Sequence, residues 1–186
     1  MPTTQPSTRR TSPVDYALGE STLGLVLVAR TSKGVCAIFI GEDASEVEEP
    51  LRGRFPQARR RDLSANDASE LSHTLTAVID YIEHPRRDLN LEFDLYGTEF
   101  QQSIWQKLRE IPFGQTSTYT EIARAIGRPS AARAVAGACA ANLVSVAIPC
   151  HRVLRSDGAL SGYRWGVGRK RTLLEREGVL QEQSLI

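Results

Sequence analysis

The chain has 186 residues, of which 41% are hydrophobic and 24% are charged, and its formal net charge is +1. A chain of this length can bury its core as one compact unit or as two small domains without disulfides or metal ions. No apolar run approaches the roughly 18 to 20 residues that a membrane span needs, and the N-terminus lacks the apolar stretch of a secretory signal. The composition therefore excludes a membrane-spanning protein and predicts a cytoplasmic one whose three cysteines stay unpaired.

The charge is distributed unevenly along the chain. Residues 1–96 contain 11 Lys/Arg and 15 Asp/Glu, a balance of −4, whereas residues 97–186 contain 12 and 7, a balance of +5. The second half is thus the candidate for contact with a polyanion such as nucleic acid. An excess of this size is also common on surfaces that bind nothing, so charge alone does not decide between the two.

The first half begins with residues 1–13, which are rich in Thr, Ser, Pro and Arg and lack apolar periodicity. This composition predicts a disordered leader. Two β-rich runs, residues 25–28 and 35–40, flank a glycine-containing loop and predict a hairpin. Cys36 lies within the second run and is expected to be a buried packing residue.

Residues 71–82 carry apolar side chains at the spacing of one helical face, and residues 64–67 offer N-caps for the predicted helix. His73 and His84 are expected at the surface of this helix. Residues 89–95 alternate between apolar and polar side chains, which predicts a half-buried strand. The first half therefore has the pattern of a small α/β unit.

The second half begins with a helix predicted over residues 100–111, which Pro112 ends. A shorter helix follows a capping box formed by Thr118 and Glu121 and ends at Gly127. These two helices precede a third helix that is composed mainly of small residues.

That third element is a helix over about residues 131–141, for which Ser130 is the predicted N-cap. Its residues are Ala, Val, Gly and Cys, with Arg133 as the one charged side chain. A helix, a glycine-containing turn and a second helix are typical of a helix-turn-helix that places its second helix in a DNA groove, although many helix pairs bind no DNA. Small side chains also suit close packing against a neighbouring helix. If the partner is DNA, a single arginine favours a minor-groove contact with one inserted side chain.

Residues 143–148 form an apolar run that predicts a buried strand or extended segment leading into Pro149-Cys-His-Arg-Val153. The histidine next to this thiol can take its proton or stabilise a thiolate, through a water or a tight turn. A Cys-His pair alone does not distinguish a catalytic cysteine from a structural one. Cys139, on the small-residue helix, is expected to be a packing residue.

A turn at Asp157-Gly158 follows, and residues 161–166 then combine glycines, an aromatic side chain and a basic one. Such a loop is suited to form one wall of a pocket for a flat base. A last helix is predicted over residues 167–177, ended by Gly178.

Together these motifs resemble the O6-alkylguanine-DNA alkyltransferases, also called methylated-DNA–protein-cysteine methyltransferases. The likeness covers about residues 16–178 and is closest to the C-terminal domain of the family's bacterial adaptive-response member. The motifs that carry it are Pro149-Cys-His-Arg-Val153, Arg133-Ala-Val135, Ala140-Ala-Asn142 and Ser161-Gly-Tyr-Arg-Trp-Gly166.

The resemblance implies a fold with two lobes. The N-terminal lobe would be α/β and ribonuclease H-like, and the C-terminal lobe would be mainly α with a winged-helix-like helix-turn-helix. We accordingly expect a leader over residues 1–13, an N-terminal domain over 14–96, a C-terminal DNA-binding and active-site domain over 97–180, and a tail over 181–186.

The resemblance also implies a reaction. Cys150 would accept a methyl or larger alkyl group from O6 of guanine in double-stranded DNA, and from O4-alkylthymine, irreversibly and once per molecule. His151 would remove the thiol proton through a water, Glu177 would orient His151, and Asn142 would brace the turn that carries the thiol.

The same resemblance implies a DNA-binding surface. Arg133 would enter the duplex where the flipped guanine has left, Tyr119 would help to rotate the nucleotide out, and Ser130 and Ala132 would lie against the DNA. The main chain around Cys150 and Val153 would receive the guanine amino group. The residues implied for the substrate pocket are Tyr119, Val153, Tyr163 and Arg164.

The implied reaction needs no cofactor, because the thioether product has no easy reverse reaction. Since no Cys/His set in residues 1–96 has zinc-ligand spacing, no metal is expected. We also expect a monomer that associates with the nucleoid when bound to DNA. A stand-alone repair protein and the C-terminal part of a longer one both fit the sequence.

Two alternative functions stand beside this one. A lesion-binding relative without catalysis is disfavoured because such relatives replace the cysteine that is present here as Cys150. A helix-turn-helix regulator would select an operator sequence and be indifferent to blocking of its thiols.

Overall fold

The structure is a computed structural model that describes residues 12–85 and 89–180. The predicted leader lies almost wholly outside the described residues, and the predicted tail lies wholly outside them. Within the described part the chain is mixed α/β, with a four-stranded sheet, a two-stranded sheet and six α-helices. None of these helices is long and apolar enough to cross a membrane.

The larger sheet has the order β3-β2-β1-β4. Strands β1 (Asp15–Ser21), β2 (Gly24–Thr31) and β3 (Gly34–Gly41) form an antiparallel meander, and β4 (Arg59–Arg60) pairs parallel to β1. The predicted hairpin is confirmed as β2 and β3. Strand β1 was not predicted, because its sequence mixes glycine, acidic and apolar residues without a clear alternation.

Helices cover both faces of this sheet. Val26, Val28, Ile38 and Ile40 share a core cluster with α2 (Glu70–Glu83), whereas Leu27, Ala29, Ala37 and Phe39 pack with α1 (Ala44–Arg54). A strand covered on both faces has no polar side, which is why β2 and β3 are nearly continuous apolar runs.

Cys36 lies in the second of these clusters and is 1% exposed, so its predicted packing role is confirmed. Burial, with the nearby charge of Asp94, raises the pKa of the Cys36 thiol to about 12. Helix α1 was not predicted, since it is polar and contains Pro50.

The predicted caps of α2 are corrected by the structure. The N-cap is Ser69, whose side chain accepts from the Ser72 amide, and the Asp67 carboxylate in turn accepts from the Ser69 amide at 2.8 Å. Asp67 therefore holds the N-cap residue Ser69 in place but is not itself the N-cap. His73 and His84 are exposed, as predicted.

The strand predicted over residues 89–95 is wrong as a full strand. The segment makes an isolated parallel bridge, Val35 to Phe93, in which the Val35 amide donates to the Glu92 carbonyl at 2.8 Å and the Asp94 amide donates to the Val35 carbonyl at 2.9 Å. It meets β3 only at the start of that strand. The approach is so close that a Cβ at Gly34, where φ is +151°, would lie 2.5 Å from the Glu92 oxygen.

The second half contains α3 (Glu99–Arg109), α4 (Tyr119–Ala125), α5 (Ala132–Ala140) and α6 (Val167–Arg176). The capping box formed by Thr118 and Glu121 at the start of α4 is confirmed. The predicted N-cap at Ser130 is wrong: the N-cap of α5 is Ala131, which makes no side-chain cap bond. Residues 128–131 form a turn closed by the Ala131 amide on the Arg128 carbonyl at 2.9 Å, and this turn places Ser130 one position too early.

Residues 143–148 are mostly buried, as predicted, but they are not a strand. Val144 makes a single parallel bridge to Ile38 at the edge of the larger sheet, and residues 145–147 then turn. Beyond them, β6 (Val153–Leu154) pairs parallel to β5 (Ser117–Thr118), which leads directly into α4. These two contacts fix the segment between residues 142 and 154 against both halves of the chain.

Candidate active site

Cys150 begins a short 3-10 helix, Cys150–Arg152, which follows Pro149 and leads into β6. The residue is 5% exposed. Its position is fixed on both sides, because the preceding turn bonds to β3 and the following strand pairs with β5. The thiol is therefore held by secondary structure from two directions.

Asn142 ties the preceding turn to the thiol. Its Oδ1 accepts from the Val144 amide at 2.9 Å, and its Nδ2 donates to the Ile148 carbonyl at 2.9 Å and to Cys150 Sγ at 3.3 Å. Within the same turn Val146 has φ +57°, a strained conformation for a β-branched residue. The buried amide of Asn142 supplies the bonds that hold this strained turn closed.

Burial raises the pKa of the Cys150 thiol, while the hydrogen bond from Asn142 and the positive charge of Lys170 lower it by less. The resting sulfur is therefore a protonated thiol, which is a poor nucleophile until a base removes its proton. A neighbouring base is accordingly needed for chemistry at this position.

His151 is the candidate for this base. Its Nε2 lies 2.8 Å from Glu177 Oε1, and both side chains are fully buried. Burial lowers the pKa of His151, and the bond and charge of Glu177 only partly oppose this. The imidazole is therefore neutral, and with Nε2 donating to Glu177, Nδ1 is the free acceptor. Nδ1 has no partner among the residues that the structure describes.

Glu177 is ionised despite its burial. Burial alone would raise the pKa of this carboxyl, but hydrogen bonds from His151 and Arg152, together with their charges, hold its pKa below the ordinary value. Arg152 donates through Nε to Glu177 Oε2 at 2.8 Å and through Nη2 to Oε1 at 2.9 Å. The carboxylate thus joins the histidine to a buried arginine.

A cavity of about 430 Å³ opens at the thiol, within the size range of small-molecule sites. Of the residues named from the sequence for the pocket, Tyr119, Tyr163 and Arg164 line it together with Cys150, whereas Val153 does not. The remaining lining residues are Ala136, Cys139, Ala140, Ser161 and Gly162. Cys139 is thus both a core residue and part of the cavity wall, and burial raises its pKa to about 12.

Two hydroxyl pairs fix the aromatic walls of this cavity. The Tyr119 hydroxyl lies 2.5 Å from Ser161 Oγ, and the Tyr163 hydroxyl lies 3.0 Å from Ser145 Oγ. Ser161 also accepts from the amine of Lys170 at 3.0 Å.

Lys170 is fully buried, and its amine also donates to the Val153 carbonyl at 2.6 Å. Burial lowers the pKa of this amine. The Val153 carbonyl is thus linked through Lys170 to Ser161, a residue of the cavity wall, while Val153 itself does not line the cavity.

Three of the four predicted DNA-contacting residues, Arg133, Ser130 and Ala132, lie outside the cavity, whereas the fourth, Tyr119, lines it. Arg133 and Ser130 are exposed, and Ala132 is partly exposed, at the start of α5. Ala136, Cys139 and Ala140 of the same helix line the cavity, so α5 connects the exposed arginine to the thiol pocket.

Sequence reasoning missed three buried groups, Arg152, Lys170 and Tyr81. The sequence contains a signal for one of them, Lys170, which lies on the same helical face as Leu173 and Leu174. A charged residue on such an apolar face is buried only when it has hydrogen-bond or charge partners, and Glu177 lies on the same face. Nothing in the sequence near Tyr81 indicated its contact with Arg152. Among the described residues, no group of three or more His, Cys, Asp or Glu is placed to hold a metal ion.

A thiol in the wall of a small cavity, next in sequence to a neutral imidazole, is an arrangement typical of proteins that use a cysteine as a nucleophile. Comparison with known proteins makes this class specific. Residues 99–179 match the family described as 6-O-methylguanine DNA methyltransferase, DNA binding domain. The inducible methylated-DNA--protein-cysteine methyltransferase of Bacillus subtilis is 38% identical over 153 residues, covering 81% of this chain and 82% of the relative.

The bifunctional transcriptional activator/DNA repair enzyme Ada of Escherichia coli is 47% identical over 170 residues, covering 91% of this chain and 47% of Ada. This chain likewise spans 47% of the regulatory protein ada of Salmonella typhimurium, so it is about half as long as these two relatives. The crystal structure of Mycobacterium tuberculosis OGT in complex with DNA superposes with a TM-score of 0.72 at 33% identity, covering 88% of this chain and 92% of that chain.

The chain belongs to the methylated-DNA–protein-cysteine methyltransferase family, and the resemblance stated from the sequence is confirmed.

Proposed function

We propose that this protein repairs alkylated DNA by moving the alkyl group from O6 of guanine onto Cys150. The observation that carries the proposal is the cavity in which Cys150 lies beside Tyr119 and Tyr163, together with a neutral His151, next in sequence to Cys150, that is hydrogen-bonded to the ionised Glu177. The Bacillus subtilis relative is named a methylated-DNA--protein-cysteine methyltransferase, and this name supports methylated DNA and a protein cysteine as the two reactants.

The chemistry is an in-line displacement. His151 takes the thiol proton through a bridging water at its free Nδ1, and the sulfur forms a bond to the alkyl carbon while the bond from that carbon to O6 breaks. The electron pair stays on the guanine, which leaves as an anion and takes up a proton. Because the thioether product has no easy reverse reaction, each molecule reacts once, and because the thiol itself accepts the alkyl group, the step needs no cofactor.

The DNA is bound by α4 and α5 acting as a helix-turn-helix. The exposed face of α5 carries Arg133 among small residues, which lets the helix backbone approach the minor groove while the arginine fills the space of the extruded nucleotide. Tyr119, at the start of α4, faces the same cavity and contacts the flipped base, and Ser130 and Ala132 pack against the DNA.

The finer features of the fold belong to this proposal. The meander β1 to β3 with β4 added parallel to β1 supports a ribonuclease H-like N-terminal lobe, and α4, α5 and the small β5–β6 sheet support a winged-helix-like C-terminal lobe. We place the boundary of the two domains at residues 96 and 97. The protein acts as a cytoplasmic monomer that joins the nucleoid when bound to DNA, and it accepts O4-alkylthymine as well.

The test is incubation with a duplex oligonucleotide containing O6-methylguanine, followed by mass measurement of the peptides. A methyl increment on the Cys150 peptide, absent in Cys150→Ala, supports the proposal. No increment, or one that persists in Cys150→Ala, contradicts it. Binding to an undamaged operator-like sequence without any increment would favour a regulator instead.

A further inference from the structure

Arg152 is the most heavily bonded side chain near the site. Besides its two bonds to Glu177, its Nη1 donates to the Ile111 carbonyl at 2.7 Å and its Nη2 to the Tyr81 hydroxyl at 3.2 Å. The residue is 6% exposed. Because three different elements hold the planar guanidinium, it has one orientation available. In that orientation its Nε and Nη2 donate to the two oxygens of the Glu177 carboxylate.

Tyr81 lies in α2, in the first half of the chain, 71 residues before Arg152. Ile111 follows the end of α3, and Glu177 caps the end of α6. The arginine is therefore where three helix C-terminal regions meet, and Tyr81 is the contribution of the N-terminal lobe. The lobe that does not carry the thiol thus reaches the acid–base pair through two hydrogen bonds in series.

We propose that Arg152 is a positioning residue, anchored by Tyr81, that fixes the Glu177 carboxylate against His151 and offsets its negative charge, so that His151 stays neutral. The inference rests on the proposed function for its effect on alkyl transfer, but not for its effect on the histidine itself. It gives the N-terminal lobe a part in setting the chemistry of the site.

The sign of the effect follows from the charges around His151. Glu177 favours the imidazolium, whereas the positive charges of Arg152 and Lys170 and the burial of the ring oppose it. Removing the Arg152 charge leaves Glu177 uncompensated, so His151 should bind a proton more readily. Among the described residues, the other titratable groups that face this network include Cys150, Tyr163 and Tyr81.

The experiment is NMR titration of the His151 imidazole in the full chain, which has only three histidines, the other two being exposed. In Arg152→Gln the pKa of His151 should rise by about one unit or more. Arg152→Lys keeps the charge and should leave that pKa near the wild-type value while slowing alkyl transfer, because a lysine cannot present the two-pronged contact.

Arg152→Gln removes a buried cation and can prevent folding, so Tyr81→Phe is the second variant. It should raise the pKa of His151 in the same direction by less, and should move the acid limb of the transfer rate toward higher pH. Tyr16→Phe is the matched control, since the Tyr16 hydroxyl is also buried and donates to a charged group, Glu48, at 3.1 Å. It should change neither quantity.

An unchanged His151 pKa in a folded Arg152→Gln protein would overturn the inference. If that variant does not fold, the same pKa in Tyr81→Phe, Tyr16→Phe and wild type would overturn it. Failure of the proposed function would look different, since wild type would then transfer no methyl group while the pKa of His151 still responded to Arg152.

Discussion

At the scale of single residues, the site is a pair of neutral groups prepared for proton transfer. The thiol of Cys150 stays protonated because it is buried, and His151 stays neutral for the same reason. A thiol and an imidazole that are both uncharged at rest require no buried ion pair in the cavity. In the proposed reaction the thiolate forms only when a base and a substrate are both in place, which would limit side reactions of the Cys150 thiol.

The neutrality of His151 has a consequence for stability. Its pKa is lowered by folding from the ordinary value of 6.5, so below that pH the unfolded chain binds a proton that the folded protein does not. The free energy of unfolding should therefore fall as pH drops below 6.5, by at most about 1.4 kcal/mol per pH unit for this one group. Urea unfolding at a series of pH values measures it. His151→Gln should flatten this slope; a slope equal to that of wild type would contradict the assignment.

Asn142 supports a second prediction at this scale. Asn142→Ala leaves the Val144 amide and the Ile148 carbonyl without their side-chain partner in a buried turn. We expect a loss of about 1–3 kcal/mol in the free energy of unfolding and slower alkyl transfer to Cys150. Denaturant unfolding and single-turnover kinetics measure the two effects. The exposed Asn66→Ala is the control, and a loss no greater than in that variant would show that the turn holds without Asn142.

At the scale of elements, most helices of the second half could be predicted from apolar spacing or from a recognisable boundary, whereas the start of α5 was placed wrongly at Ser130. The start of α4 was predicted from the capping box of Thr118 and Glu121, and the end of α6 was predicted from Gly178. Both boundaries are close to those observed. Strand β1 and helix α1 could not be predicted from local sequence. Strand β1 is stabilised by its pairing with β2, and helix α1 is stabilised by its packing on the sheet.

The site was predicted unevenly for a similar reason. The roles of the motif residues were predicted from the family resemblance. The burial of Arg152 and Lys170 could not be predicted, because it depends on hydrogen-bond partners that only the structure shows. A buried charge is readable only when the groups that compensate it are known, and those of Arg152 come from residues 81, 111 and 177. No local pattern joins such distant positions.

Helix α5 carries the prediction for DNA recognition. Arg133→Ala should weaken the reaction with duplex DNA much more than the reaction with a free O6-benzylguanine-type base, because the arginine is exposed outside the cavity. Rate constants for the two substrates, measured in parallel, test this. Arg109→Ala, an exposed arginine on α3, should change neither. Equal losses on both substrates in Arg133→Ala would exclude the role of filling the emptied duplex position.

At the scale of the whole molecule, the two halves share their interior. One core cluster contains Val26 and Ile38 from the sheet together with Ile104 and Leu173 from the helices. Arg176 of α6 also donates to the Ile82 carbonyl of α2 at 2.7 Å. Contacts of this kind couple the stability of the lobes.

We therefore expect a single cooperative unfolding transition for the full chain, although two domains are proposed. Far-ultraviolet circular dichroism and tryptophan fluorescence should report the same midpoint in urea, since Trp105 and Trp165 both lie in the second half and circular dichroism reports the sheet as well. Two separated midpoints would show that the lobes unfold independently.

The central claim is that one thiol, Cys150, accepts one alkyl group and is then spent. The most direct measurement follows guanine restored in an excess of O6-methylguanine DNA and S-methylcysteine formed at Cys150 in the same sample. The account predicts that the two amounts rise together and stop when they equal the amount of protein. Restoration that continues beyond the amount of protein, or that occurs without methylation of Cys150, would contradict it.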